Sequence, residues 1–179
     1  MADLLEIVTA ALDEHQVHYE RHAADGPETV LVAELPGERK LKTAVQLSLG
    51  RHGVRFESFV CRRPDEDFEE VYRYLLQRNR RLYGIAYTLD NVGDIYLVGR
   101  LSTESTTPEE LDRYLGQILE AVNQDFNPLL ELGFHTAIRK EWAWRTSRGE
   151  SLKNLRAFEH LIARADQSAK SDNTGLGDC

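Results

Sequence analysis

Apolar residues recur at helical spacing from Leu4 through Leu5, Ile7, Val8 and Ala11 to Leu12, with Asp3 placed as an N-cap, so residues 4–15 read as an amphipathic helix. Two β-rich runs follow. Val17 to Arg21 reads as a short edge strand, and Glu28 to Leu35, built on Val30, Leu31, Val32 and Ala33, reads as a fuller one that ends at the Pro36–Gly37 turn. From Leu41 to Leu49 the pattern becomes a strict alternation. Leu41, Thr43, Val45, Leu47 and Leu49 oppose Lys42, Ala44, Gln46 and Ser48, the period of a half-buried strand. Gly50 to Gly53 closes a hairpin onto a strand from Val54 to about Arg62, with Val54, Phe56 and Val60 on one face and Arg55, Glu57, Phe59 and Cys61 on the other.

Pro64 stops that strand, Asp65 stands where a cap is needed, and Glu66, Asp67, Glu69 and Glu70 suit the positive end of a helix dipole. The helix is expected to run to about Arg78 on a stripe of Phe68, Val71, Tyr72, Leu75 and Leu76, with Asn79 in the left-handed position that ends many helices. Leu82 to Leu89 and Ile95 to Leu101 form a second hairpin across Asp90, Asn91, Val92, Gly93 and Asp94. Thr107, Pro108, Glu109 and Glu110 make a capping box with proline at the first helical position. Leu111, Leu115, Ile118, Leu119, Val122 and Phe126 continue a long helix that Pro128 is expected to kink or end. A shorter helix over 136–146, a break at 147–150 and another helix over 152–165 follow.

These elements predict an α+β fold: a twisted antiparallel sheet of about five strands flanked by helices, in the order helix, three strands, helix, two strands, long helix. Residues 1–135 form that domain, 136–165 a basic Trp-containing helical extension, and 166–179 a polar tail in which disorder is expected. The strands are apolar on two sides. Phe59, Leu82, Ala86, Tyr96 and Val98 should point away from the face that holds Val60, Ile85, Leu97 and Leu101. Such a layer calls for cover on both faces: the long helices on one, and the C-terminal helices, a second subunit or a client polypeptide on the other.

Composition sets bounds on function. The 179 residues are 41% hydrophobic and 29% charged, ordinary for a globular domain. Net charge is −8, carried unevenly: residues 1–135 hold 14 Lys+Arg against 24 Asp+Glu, whereas residues 136–165 hold seven against three. The acidic body argues against nucleic acid as a partner. No basic segment precedes the first apolar residues and no apolar run reaches the roughly 18 residues of a membrane span, so neither signal peptide nor membrane partner is expected. With Cys61 and Cys179 outside any ligand spacing, the cytoplasm is the expected compartment.

Candidate chemistry is sparse. The histidines at 15, 18, 22, 52, 135 and 160 form no metal-ligand spacing, since His18 and His22, four apart, fall in an extended segment. Gly50 and Gly53 flank a hairpin rather than a phosphate loop, and Cys61, in a strand beside Arg62 and Arg63, reads as a small packed residue rather than a nucleophile. No enzyme activity, cofactor or metal is expected. Trp142, Trp144, Arg145 and Arg148 combine residue types enriched at binding hot spots, although Trp142 packing on Ile138 at helical spacing accounts for it as well. Arg139, Lys140, Arg145 and Arg148 supply the alternative, a nucleic-acid-associated regulator docking through the basic C-terminal helices.

The element order resembles the class I type III secretion chaperone fold. Within it, Val60 to Pro64, the Tyr-Leu-Leu-Gln-Arg-Asn run ending Tyr72 to Asn79, Gly93 to Leu101 and Glu109 to Leu115 resemble the YbjN-like family, described as putative bacterial sensory transduction regulators, over about residues 4–133. The resemblance implies the sheet architecture and a role in binding another protein, with a homodimer expected and no catalytic residue to carry across. The basic, Trp-bearing extension lies outside it. Phe59, Tyr96, Val98, Trp142, Trp144, Arg145 and Arg148 are thus the candidate partner-binding residues.

Overall fold

The computed structural model describes residues 4–23, 26, 28–38, 40 and 42–163. Asp3, Leu41, Cys179 and the tail 166–179 lie outside the described residues. Helix α1 (Leu4–Glu14) is followed by strands β1 (His18–His22), β2 (Thr29–Pro36), β3 (Lys42–Gly50) and β4 (Gly53–Cys61), helix α2 (Phe68–Asn79), strands β5 (Ile85–Leu89) and β6 (Ile95–Leu101), and helix α3 (Pro108–Arg148). The sheet has six strands rather than five, in the order β1-β2-β3-β4-β6-β5, antiparallel throughout. The sixth strand is the short edge segment read at Val17 to Arg21, found at His18–His22, which pairs with β2 from His18 opposite Glu34 to His22 opposite Val30.

Alternation decides what is buried. Leu31, Ala33 and Leu35, Val45, Leu47 and Leu49, Val54, Phe56 and Val60, and Ile95, Leu97 and Leu101 all turn to one face and are almost fully buried there. All three helices pack on that face, Val8 and Leu12 from α1, Val71 and Leu75 from α2, and Leu111, Leu115, Ile118, Val122 and Leu129 from α3 joining a single core. A bulge between Phe59 and Cys61 shifts the register of β4. It turns Cys61 inward, away from the Phe59 face where alternation alone would put it. Lys40 Nζ donates to the carbonyls of Phe59 and Val60 around the bulge. Burial pushes the Cys61 thiol up to about 11, against the pull of Lys40, so it packs as a neutral side chain.

The opposite face is not covered among the described residues. It is also less apolar than the strand pattern suggests. Glu20, Lys42, Gln46, Arg55 and Arg100 stand on it exposed, so the second apolar layer shrinks to the corner where β4, β6 and β5 meet. A period of two reports that one face is buried, and apolar residues on the other face need not extend across every strand.

Other local expectations were displaced by competing side-chain contacts. Asp67, in left-handed conformation, is the N-cap of α2, while Asp65 pairs with Arg62. Asn79 remains helical instead of ending α2 in the left-handed region. Its carboxamide accepts from the Tyr87 N–H at 2.7 Å and donates to the Tyr87 carbonyl at 3.3 Å, occupying the middle of the β5 outer edge.

α3 opens as predicted, Thr107 Oγ1 accepting from the Glu110 N–H with Pro108 in the first turn. It passes through Pro128 and breaks instead at Phe134, whose φ of −144° is non-helical. The cause is the β4–α2 connection. Asp65 and Glu66 donate their N–H groups to the Gly133 carbonyl at 2.9 and 3.3 Å, taking an acceptor from the helix. Glu66 accepts from the Thr136 N–H and hydroxyl, both at 2.7 Å, and so caps the helix that restarts beyond the break. A Cβ on Gly133 would lie 2.8 Å from Pro64 Cβ, which explains the glycine at this crossing.

The restarted segment ends at Gly149 in the left-handed conformation. A 3-10 helix, Lys153–Phe158, and a helical turn over 159–163 replace the expected helix over 152–165. Ile138 and Phe158 are buried in the same core as the sheet, and His160 lies 3.3 Å from Glu131.

Burial raises the carboxyl of Glu66, but the two Thr136 hydrogen bonds, with His135 and Arg139 nearby, outweigh it and hold the group below its ordinary value. A carboxylate depressed on folding stabilises the fold above its unfolded pKa and loses that contribution as pH falls through the folded one. The denaturation midpoint of the wild type should therefore fall more steeply than that of Glu66→Gln as pH drops below the ordinary glutamate value of about 4.3. Parallel pH curves would mean that the cap carries no folded-state charge preference.

Candidate functional site

Position on the sheet brings three of the candidate residues together. Phe59 on β4 lies directly opposite Tyr96 on β6, ring centroids 5.4 Å apart and edge-on, and Val98 follows on the same face opposite Glu57. Ala86 and Thr88 of β5 extend the patch across the next strand. Phe59 is 40% exposed, and the ammonium of Lys40 stands 5.0 Å over its ring. The surface is thus an aromatic pair with an apolar border and one cation, on strands whose backs are anchored in the core.

The other candidates lie on the last turns of α3. Trp144 is 45% exposed with the Arg148 guanidinium 4.9 Å over its ring, while Trp142 is half-buried. Arg145 pairs with Glu141 at 2.7 Å and donates to the Ser151 carbonyl at 3.0 Å, so it holds the end of the helix to the chain beyond it. That leaves Arg139, Lys140 and Arg148 exposed. No hydrogen bond, ion pair or ring contact joins these residues to the Phe59–Tyr96 patch among the described residues.

A cluster that the sequence pattern did not single out is Asp125, on α3 and 1% exposed. Tyr74 and Tyr87 donate their hydroxyls to its two oxygens at 2.7 Å each, and Arg78 Nε lies 2.8 Å from Oδ1 and 2.9 Å from Oδ2. Burial first, and Asp125 next to them second, push both phenols well above their ordinary range, so they remain donors. With three donors on its two oxygens, the carboxylate is a junction of α2, β5 and α3. Among the described residues no group of three or more His, Cys, Asp or Glu is placed to hold a metal ion.

One groove, of about 890 Å³, runs along the sheet end formed by the β3–β4 hairpin, with Leu4, Leu5, Leu49, Val54 and Leu101 among its apolar lining.

Residues 4–131 match the family model YbjN, described as "Putative bacterial sensory transduction regulator". The chain belongs to the YbjN family. Its relatives include the uncharacterized protein Rv0487 of Mycobacterium tuberculosis and the uncharacterized protein Mb0497 of Mycobacterium bovis. Each is 57% identical over 172 residues, covering 96% of this chain and 94% of the relative. The uncharacterized protein ML2442 of Mycobacterium leprae is 67% identical over 132 residues, 74% of this chain and 72% of the relative. Among solved structures, the ExsC–ExsE complex aligns with a TM-score of 0.43 and 21% identity over 55% of this chain and 75% of that one, a likeness too slight to bear on fold or partner. The family match ends at residue 131, just before the break at Phe134, so Trp142, Trp144, Arg145 and Arg148 of this YbjN-family chain lie beyond it. The relatives at 57% identity run past that point and share the greater part of the extension's length.

Proposed function

We propose that this YbjN-family protein is a cytoplasmic, non-enzymatic regulatory module that works by holding another polypeptide against the open corner of its sheet. The carrying observation is the Phe59–Tyr96 pair with Val98, Phe59 exposed and the other two half-buried, on the face that no helix covers among the described residues while α1, α2 and α3 crowd the other. Tyr and Phe on a rigid strand present large contact area at little entropic cost, the usual make-up of an interface centre. The polar surroundings of the patch support a partner that comes and goes rather than a permanently buried face. A buried, neutral thiol at Cys61 agrees with a reducing compartment. No helix is long and apolar enough to cross a membrane among the described residues.

A photocrosslinking residue in place of Tyr96 should trap a discrete adduct in the native cells, and Phe59→Asp should abolish it. The same residue in place of Leu76, 67% exposed on α2, serves as the control. An adduct of twice the chain's mass identifies the occupant as a second copy and makes the protein a homodimer. No adduct from position 96, or identical adducts from position 76, would overturn the reading.

A further inference from the structure

The chain's two exposed aromatic surfaces are matched in spacing and opposite in charge. Lys140, Trp144 and Arg148 follow at intervals of four on the restarted part of α3, so they form one exposed stripe with a basic residue about 6 Å along the axis on either side of the indole. Arg145 is paired with Glu141, whereas Lys140 and Arg148 form no ion pair among the described residues. On the open corner of the sheet the charges are reversed. Glu57 stands opposite Val98, two residues beyond Tyr96, and Asp94 comes two residues before Tyr96, so an acidic residue lies about 7 Å along β6 on either side of the Phe59–Tyr96 pair. Burial first, and then Asp90, Asp94 and Glu57, raise the Tyr96 hydroxyl above its ordinary value, so the field there is negative. Glu57 keeps a surface contact with Arg55 at 2.9 Å, and Asp94 accepts the neutral Arg63 N–H. The corner's own cation, Lys40, sits on the Phe59 side with its ammonium engaged by the Phe59 and Val60 carbonyls.

Within one chain the two surfaces stay apart. Ile138 and Phe158 hold the extension to the core behind the sheet, and no contact joins it to the corner among the described residues. We propose that the corner is occupied by the Lys140–Trp144–Arg148 stripe of a second copy of this chain, with the indole on the Phe59–Tyr96 pair and the two cations at Glu57 and Asp94. This names the occupant of the corner, and it rests on the reading that the corner holds a polypeptide. With a cation at each end, the stripe fits the two carboxylates in either direction. Trp and Arg supply the anchor, and the opposed charges fix the register. Each copy carries both halves, so a two-fold pair makes the contact twice and closes on itself. Two contacts built on one indole each are a small interface, so the pair forms and dissociates with concentration.

Sedimentation velocity of the full-length protein between about 1 µM and about 100 µM should show monomer passing to dimer. Tryptophan emission should move to the blue over the same range as Trp144 leaves water, since Trp142 and Trp144 are the chain's two tryptophans. Trp144→Ala, at a side chain 45% exposed, should leave the melting curve unchanged and weaken association about tenfold or more. Leu76→Ala, at an exposed apolar side chain of α2, should associate as the wild type does. Glu57→Lys should weaken association by a similar factor, and adding Lys140→Glu or Arg148→Glu, whichever position meets residue 57, should restore it. That recovery separates a lost contact from a lost fold. A wild type that stays monomeric at the highest concentration, full association of Trp144→Ala, or recovery in neither double variant overturns the proposal. Crosslinking at position 96 keeps this inference apart from the reading it rests on. An adduct of twice the chain's mass that disappears in Trp144→Ala supports the second copy, whereas an adduct with a different polypeptide that persists in Trp144→Ala overturns it and leaves the corner's binding role standing.

Discussion

Replacing Asp125 by alanine should destabilise the protein by about 3–5 kcal/mol in chemical denaturation, the cost of leaving a buried ion pair without one partner. The loss is compound. Arg78, 19% exposed at its side chain, would keep its charge with only Gln124 at 2.8 Å to meet it, and the Tyr74 and Tyr87 hydroxyls would lose their acceptor inside the core. Tyr87 retains a 3.3 Å contact with the Ala121 carbonyl, which softens the penalty for that group alone. Asp125→Asn should cost less, because it keeps the shape and one acceptor, but it turns an amide N–H₂ toward groups that also donate. A loss below about 1 kcal/mol for the alanine variant would show that the junction does not hold α2, β5 and α3 together.

Phe56→Ala should cost about 3–5 kcal/mol by the same measurement, since the ring is fully buried and leaves a cavity that its neighbours cannot close. Phe56 faces Gly99 across the β4–β6 ladder, and its ring centroid lies 4.9 Å from that of Tyr114. Tyr114 comes down from α3 over Gly84 and Gly99, where an added Cβ would lie 2.5 Å and 3.0 Å from its ring atoms, and it donates its hydroxyl to the Arg100 carbonyl. Tyr114 is thus held by backbone on one side and by a hydrogen bond at its tip. The α3–sheet contact cannot collapse into the space a missing phenyl leaves. A loss near 1 kcal/mol would mean that it does.

The elements that could be read from sequence are those whose causes are local. The alternation from Thr43 to Leu49, the glycines that close the β3–β4 hairpin and the Thr107–Pro108–Glu110 cap each act within a few residues, and each stands where the pattern put it. The helix break at Phe134 is different. Its cause lies in Asp65 and Glu66, 70 residues before Thr136, and Pro128, the local signal, is absorbed without a break. Asp125 left a trace: it falls three residues after Val122 and four before Leu129, a charge on the apolar stripe, and Tyr74 and Arg78 are four apart on one face of α2. Phe59, Tyr96 and Val98 were legible as a group because register follows from alternation, whereas the charged remainder of their face shows how far a two-residue period can overstate an apolar layer.

The Asn79 carboxamide makes the sheet's two margins unequal. By engaging the outward N–H and C=O of Tyr87, it denies a foreign strand the centre of β5, and the margin beyond β1 keeps its backbone groups unclaimed among the described residues. Growth from one margin alone terminates after a single addition. Two such molecules joined β1 to β1 would close a symmetric pair, its remaining margins each occupied at the centre by Asn79.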